Sequence, residues 1–144
     1  IPMIVTNHTY DVIGSYVPTK EMGGGAGLKY AASTIVFLTK SKEKEGTDLV
    51  GNIIKCEAKK SRLSKEGSKV ATRLYFDERG LDKYYGLIEL GEKYGVFTRV
   101  GNRIRIGESN VYPKSILGDP EKYFTDEVMA KLEEAARTEY SYGN

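Results

Sequence analysis

The sequence predicts an α/β fold in which a β-sheet precedes a small α/β subdomain. Short apolar runs predict four strands, at Ile1 to Asn7, Thr34 to Lys40, Leu49 to Lys59 and Lys69 to Asp77. After Gly80 the apolar residues recur at helical spacing instead. We therefore expect two regions, a sheet at residues 1–80 and an α/β subdomain at residues 81–144.

The composition is that of one soluble domain. The chain has 144 residues, of which 40% are hydrophobic and 29% charged, and its net charge of +2 is too small to indicate nucleic-acid binding by itself. The single cysteine, Cys56, excludes an internal disulfide and a Cys-cluster metal site. No apolar run approaches the roughly 18 residues of a membrane span. We expect a cytoplasmic protein with no membrane partner.

The N-terminal segment opens directly on the first predicted strand. Ile1 to Val5 is an apolar run that does not begin with methionine, and a strand buried within a sheet needs a neighbour on each side. This pattern favours a fragment or one half of a split protein, and the alternative is an ordinary first strand. Thr9 to Met22 has no clean period and is predicted as a long loop, which precedes a short helix from Gly25 to Ser33.

The three later strands differ in their predicted burial. Thr34 to Lys40 is apolar enough to be buried on both faces. The other two strands alternate, so that one face collects their apolar residues: Ile54, Cys56 and Ala58 in one strand, and Val70, Thr72, Leu74 and Phe76 in the next.

Helical spacing appears in the C-terminal region. The first helix there is predicted to end at Gly95, and Gly101-Asn102 predicts a short hairpin. Asp119 and Pro120 predict the start of a further helix. The residues that define the two helices are Tyr84, Leu87, Ile88, Gly91 and Tyr94 in the first, and Phe124, Val128, Leu132 and Ala136 in the second.

The glycine cluster "GGGAG" does not match a nucleotide-binding loop. Gly27 is followed by Leu28 and Lys29 instead of the Lys-Ser/Thr pair of a phosphate loop, and the cluster follows a long loop instead of a strand. We interpret it as a flexible loop end whose glycines allow the backbone to approach another backbone, such as a DNA strand.

Polar and aromatic residues add three candidate features. Asn7 and His8 end the first predicted strand, where ligands bind in α/β sheets, so His8 is either a structural hydrogen-bonding residue or a phosphate sensor. No metal site is predicted, since no second histidine exists. Between residues 55 and 73, seven basic residues outnumber two acidic ones, which indicates either a solvated sheet edge or an anion site. Tyr10 and Tyr16 lie in the long loop, either packed locally or available to stack on bases.

Taken in order, these segments resemble the RecA family of strand-exchange recombinases, above all its phage UvsX-type members. "IVTNHTYDVIG" is similar to the family's strand that ends in an Asn-Gln or Asn-His pair, and "GGGAGLKYAAS" to the helix after its second DNA-binding loop. "AKKSR" resembles its Lys-Ser-Arg element, and "YYGLIELGEKYGVFTRVGNRIRIGESN" its C-terminal subdomain. The resemblance implies the C-terminal part of a RecA-like ATPase core. Its sheet would be mixed and include antiparallel strands, and a small C-terminal α/β subdomain would follow it.

The resemblance also implies site residues. Asn7 and His8 would contact the γ-phosphate of ATP, while Lys60 and Arg62 would act in trans on the γ-phosphate of a neighbouring subunit. Tyr30 would lie at that interface. The DNA-binding residues would be Tyr10, Ile13, Gly14, Tyr16, Val17, Lys20, Gly23, Gly24, Gly25 and Lys29, among which Ile13, Tyr16 and Val17 are candidates to wedge between bases.

The implied function is that of the DNA-binding half of an ATP-dependent recombination protein that forms filaments on single-stranded DNA. ATP and Mg²⁺ would bind at the subunit interface of the complete protein. This chain alone should bind neither and should not hydrolyse ATP, because the family's Walker A and Walker B residues are absent from it. Its partners would be single- and double-stranded DNA, copies of itself and an N-terminal recombinase half. The alternatives are a fragment of a hexameric RecA-core motor and a stand-alone single-stranded-DNA-binding module.

Overall fold

A computed structural model describes the protein at residues 1–17 and 19–142. Its elements follow the chain in the order β1 (Thr9–Asp11), β2 (Lys20–Met22), α1 (Gly25–Ala31), β3 (Thr34–Glu45), β4 (Asp48–Ser61), β5 (Lys69–Tyr75), β6 (Leu81–Asp82), α2 (Leu87–Lys93), β7 (Thr98–Val100), β8 (Arg103–Ile106), β9 (Ser109–Val111), α3 (Pro113–Gly118), α4 (Pro120–Tyr123) and α5 (Asp126–Tyr140). The predicted α/β class is confirmed.

The strands form three sheets, in the orders β1-β2, β3-β4-β5-β6 and β7-β8-β9. Every pair of strands in the described part of the chain is antiparallel. The antiparallel strands of the expected sheet are therefore present, while a parallel pair is absent from residues 1–17 and 19–142. None of the helices described there has the length and apolar character of a membrane span.

A register shift in the long β3-β4 hairpin decides where one basic side chain lies. Lys60 is opposite Ile35, whereas Ala58 is opposite Val36, and the shift falls between these two pairs. Directly opposed residues share a face of the sheet. The extra residue, Lys59, therefore forms a bulge that turns Lys60 to the face opposite to that of Ala58.

The first predicted strand is not formed. Residues 1–8 belong to no strand, and Ile1 and Ile4 are fully exposed. The prediction was wrong because a strand needs a hydrogen-bonded neighbour, and none of the described strands pairs with this segment. The long loop predicted after it is instead a hairpin, with β1 and β2 as its stem.

The second predicted strand, β3, is buried on one face only. Ile35 and Phe37 are half-buried, but Val36 and Leu38 are 46% and 63% exposed. A strand is buried on both faces only where a layer covers each of them. In the part of the chain that the structure describes, the face that carries Val36 and Leu38 stays open, so this prediction was also wrong.

The hydrophobic core lies in the C-terminal region. Its central buried side chains are Ile88, Phe97, Ile104, Ile116, Phe124 and Leu132. The ring of Tyr84 stacks on that of Phe124 with 5.0 Å between centroids. At Gly91 the core leaves no room for a side chain, since a Cβ there would lie 2.3 Å from Cδ2 of Phe97.

The C-terminal helices are shorter than predicted. Tyr84 precedes α2, which ends at Lys93. The predicted hairpin at Gly101-Asn102 is confirmed, since these two residues connect β7 to β8. Pro120 begins α4 as predicted, although Asp119 makes no side-chain cap.

The last predicted helix is divided into α4 and α5. The Thr125 hydroxyl accepts a hydrogen bond from the Val128 amide at 3.5 Å and so begins a new helix. Phe124 therefore lies between the two helices, while Leu132 lies within α5, and both side chains are buried. The apolar face was predicted correctly, but the break within it was not.

Candidate functional site

The segment from residue 9 to residue 22, which we call the loop hairpin, presents an apolar tip. Beyond its stem, the Val12 amide donates a hydrogen bond to the Thr19 carbonyl at 2.9 Å. Ile13 and Tyr16 are fully exposed, and Val17 is largely so. The three wedge candidates are therefore together at the tip, beside Gly14, while Pro18 lies outside the described residues.

Asn7 closes the base of the loop hairpin. Its Nδ2 donates a hydrogen bond to the Gly23 carbonyl at 2.7 Å, and its Oδ1 accepts one from the His8 amide at 2.8 Å. The Gly23 amide in turn donates to the His8 carbonyl at 3.1 Å. The predicted phosphate-contacting pair is therefore bonded to the predicted DNA-binding glycines. A displacement of the Asn7 side chain would act directly on the base of the hairpin.

Glycine conformation sets the start of α1. Gly24 and Gly25 have φ of +90° and +74°, values that other residues rarely adopt. Gly23 lies under the ring of Tyr10, since a Cβ there would be 3.0 Å from Tyr10 Cε2. The cluster thus turns the chain sharply from β2 into α1, whose last turn carries the exposed side chain of Tyr30.

Lys60 connects the end of β4 to the end of α1. Its Nζ donates hydrogen bonds to the carbonyls of Lys29 and Tyr30, at 2.8 and 3.1 Å. These carbonyls lie in the last turn of α1, where a cation also interacts favourably with the helix dipole. Arg62 is held only through its backbone, whose amide donates to the Ser33 carbonyl at 3.1 Å. Its guanidinium is exposed, and no group in the described part of the chain pairs with it.

A groove of about 670 Å³ lies between the loop hairpin and the sheet. Lys20, on the second strand of the hairpin, borders it, and the sheet contributes Phe37 and the lysines Lys55, Lys59 and Lys69. The acid in its lining, Glu57, accepts a hydrogen bond from Lys59 at 2.9 Å, which lowers the pKa of the Glu57 carboxyl. The groove is therefore predominantly cationic. Sequence reasoning selected Lys20 alone, although the run of basic residues from 55 to 73 was a signal for the others.

The sequence of the chain is similar to those of several known proteins. No family model matches the chain. Over 102 residues it is 37% identical to the recombination and repair protein of Enterobacteria phage T4, an alignment that covers 71% of this chain. It is 28% identical to RecA of Thermotoga neapolitana over 69% of the chain, and 25% identical to RecA of Porphyromonas gingivalis over 82%.

The chain belongs to the RecA family. The predicted resemblance, phage members included, is therefore confirmed. The alignments cover 26%, 29% and 36% of the three relatives, so this RecA-family chain spans about a quarter to a third of their length.

One basic residue of this RecA-family chain is a structural partner. Arg73 donates two hydrogen bonds to Asp82 Oδ2, at 3.1 and 2.7 Å, and one to Glu43 Oε1 at 3.1 Å. Desolvation opposes the charge, but these bonds to Asp82 and Glu43 raise the pKa of Arg73 above its ordinary value. Arg73 is therefore occupied, and the basic run between residues 55 and 73 is not one uniform anion site.

The site residues predicted for the RecA-family chain fall into two connected groups. The first is the loop hairpin with its glycines, closed at the base by Asn7. The second is the end of β4 with Lys60 and Arg62. The helix α1 joins them, because it begins at the glycines and its last turn accepts hydrogen bonds from the Lys60 ammonium. Among the described residues, no cluster of three His, Cys, Asp or Glu side chains could hold a metal ion.

Proposed function

We propose that this chain is the DNA-binding half of an ATP-dependent recombinase that forms filaments on single-stranded DNA. One observation carries the proposal: the loop hairpin presents exposed apolar side chains at its tip and borders a lysine-lined groove with its second strand. The names of the relatives, a recombination and repair protein and two RecA proteins, support it. Its partners would be single- and double-stranded DNA, further copies of the chain and an N-terminal recombinase half, in the cytoplasm.

The two parts of this surface suit two parts of a DNA strand. Ile13, Tyr16 and Val17 would insert between bases or stack on them, an interaction open to every base because each has an apolar face. The lysines of the groove would neutralise phosphates. Gly23, Gly24 and Gly25 carry no side chain of their own, and this backbone would lie against the phosphodiester chain on the side of Gly23 that the Tyr10 ring leaves uncovered.

The end of β4 fits the phosphates of a nucleotide held at a subunit interface. Lys60 and Arg62 are cations separated by one residue, and the Arg62 guanidinium is exposed. ATP bound with Mg²⁺ in the complete protein supplies the phosphoryl group, and these two cations would neutralise negative charge on it from the neighbouring subunit. Tyr30, exposed on α1, would contact the same neighbour.

Asn7 and His8 would contact the phosphate within the same subunit. The hydrogen bonds of Asn7 to Gly23 and His8 give this contact a direct route to the loop hairpin. Nucleotide state would therefore influence how the DNA-binding segment is held.

Binding of DNA by this chain is expected to be weak, independent of base sequence and sensitive to salt. Two to four groove lysines neutralise about as many phosphates, and each contributes a slope of about −0.7 on single strands, so a plot of log Kobs against log salt should fall with a slope of about −1 to −3. Fluorescence anisotropy with labelled oligonucleotides of several sequences, over a salt series, measures this.

Two classes of variant separate the tip from the groove. Lys20→Ala and Lys55→Ala should each reduce the slope by about 0.7, whereas Lys114→Ala, outside the groove lining, is the charge-matched control that should not. Tyr16→Ala should weaken binding at every salt concentration and leave the slope unchanged. A strong preference for one base sequence, or a slope that neither groove variant alters, would contradict the proposed surface.

A further inference from the structure

The turn after β4 is tied to the end of the C-terminal helix. The Tyr142 hydroxyl donates a hydrogen bond to the Ser61 carbonyl at 3.0 Å, and the Lys65 amide donates one to the Tyr140 carbonyl at 2.9 Å. Tyr140 ends α5, and Tyr142 follows two residues later. These contacts join positions about 80 residues apart in the sequence, at the turn where Lys60 and Arg62 lie on either side of Ser61.

Ser61 is the centre of this turn. It is only 4% exposed, and its hydroxyl accepts hydrogen bonds from the amides of Leu63 and Ser64, at 3.2 and 2.9 Å. Its own amide donates to Glu66 Oε1 at 3.0 Å. The amide and side chain of Ser61 are therefore bonded within the turn, and its carbonyl is bonded by Tyr142, which lies outside it.

The end of α5 is itself fixed within the C-terminal region. Glu139 accepts a hydrogen bond from the Tyr94 hydroxyl at 2.5 Å and pairs with Lys93. The hydrogen bond from Lys93, followed by that from Tyr94, lowers the pKa of the Glu139 carboxyl, so this acid is ionised at neutral pH. Tyr94 and Lys93 lie at the end of α2. The donor of the bond to Ser61 is therefore anchored to the subdomain core.

We propose that Tyr142 is a positioning residue for Lys60 and Arg62. The inference rests on the proposed trans-acting role of those two cations. Its hydroxyl binds the carbonyl of Ser61, the residue between them, so it helps to set where the backbone places both side chains. The C-terminal subdomain thereby contributes to the phosphate-contacting element without touching the phosphate.

The first test uses this chain alone and does not depend on catalysis. Tyr142→Phe removes only the hydroxyl, and hydrogen exchange at the amides of Leu63, Ser64 and Lys65 should become several-fold faster. The Leu132 amide, inside α5, should be unchanged, which shows that the helix is intact. Tyr112→Phe is the matched control, because Tyr112 is 50% exposed against 55% for Tyr142 and its hydroxyl accepts a bond from Arg103 instead. Unchanged exchange in the turn would overturn the inference.

The second test measures DNA-stimulated ATP turnover in the complete recombinase. Tyr142→Phe should lower kcat about 2- to 10-fold, the range of one net hydrogen bond, and lower kcat/KM equally. In the background of Lys60→Ala with Arg62→Ala, the same substitution should have no further effect, since the groups it positions are gone. If Tyr142→Phe lowered turnover through a general loss of folding, its fold-reduction would instead multiply that of the double replacement.

The outcomes separate the two proposals. If Lys60→Ala and Arg62→Ala lower turnover but Tyr142→Phe does not, the positioning role is overturned and the proposed function stands. If the two cation variants turn over at the wild-type rate, the trans-acting role fails, and with it the catalytic consequence of Tyr142. A loss in Tyr142→Phe that persists undiminished in the double background also overturns positioning.

Discussion

Replacing Arg62 by alanine in the complete recombinase should lower DNA-stimulated ATP turnover about 10- to 100-fold. Trans-acting arginines that stabilise phosphoryl transfer contribute about 10³- to 10⁵-fold to kcat. The loss should be smaller here, because Lys60, on the other side of Ser61, would still screen part of the charge on the phosphate. The effect of replacing Arg62 is easier to interpret than that of replacing Lys60. Its guanidinium has no partner in the described residues, whereas removal of Lys60 would also leave the carbonyls of Lys29 and Tyr30 without their donor.

Mixed filaments distinguish action in trans from action within one subunit. With wild-type and Arg62→Ala subunits in varied proportions, turnover should fall with the fraction of interfaces that contain the variant. Lys65→Ala is the matched control, a cation of the same turn with an exposed side chain, and it should retain wild-type turnover. The alternative that the basic turn is only a solvated sheet edge predicts no change for either variant. Wild-type rates for both Arg62→Ala and Lys60→Ala would establish that alternative.

Ile116→Ala should destabilise the C-terminal region by about 2 to 5 kcal/mol. Ile116 is 0% exposed and packs in the central cluster, and truncation of such a side chain loses its transfer free energy and leaves a cavity. The adjacent Leu117, on the same short helix, is 46% exposed. Leu117→Ala should therefore cost at most about 1 kcal/mol.

The measurement is denaturant unfolding followed by the near-ultraviolet signal of tyrosine, to which the stacked Tyr84 contributes. The free energy of unfolding of each variant is compared with that of the unmodified chain. Equal losses for Ile116→Ala and Leu117→Ala would contradict the described packing of α3.

The sequence allowed correct prediction where a local pattern decides the structure. The hairpin at Gly101-Asn102 follows from turn chemistry. The alternation in β4 did not identify its buried side, since Ile53 on the basic face is 9% exposed while Val70, opposite Cys56, is 46% exposed. The apolar run at residues 1–5 misled because composition indicates a preference for burial but does not supply the neighbouring strand. The break between α4 and α5 was missed because Phe124 keeps the helical apolar spacing, although the Thr125 side chain caps a new helix.

The candidate site also combines features that a local sequence pattern indicates with contacts that no local pattern can predict. The sequence selected residues 9–22 and the end of β4 as candidate site segments, and their role stays a prediction. The wedge candidates Ile13, Tyr16 and Val17 are exposed near one tip, but the hairpin that carries them was predicted as a loop. The contact of Lys60 with α1 could not be predicted, because it depends on a bulge whose position is a property of strand pairing. The bond from Tyr142 to Ser61 joins two segments that no local pattern relates.

The placement of the core predicts that the C-terminal region dominates the thermal unfolding of this chain. Apart from Ile53, the buried apolar side chains of the described chain lie at residue 88 or beyond, so most of the heat-capacity change of unfolding belongs to the C-terminal region. The sheet of β3 to β6 has one buried apolar side chain, Ile53, and hydrogen bonds from Tyr142 and Lys65 join the turn after β4 to the C-terminal region. A molecule that covers the open face at Val36, Leu38 and Val70 would bind only the folded sheet. It would raise the melting temperature by mass action.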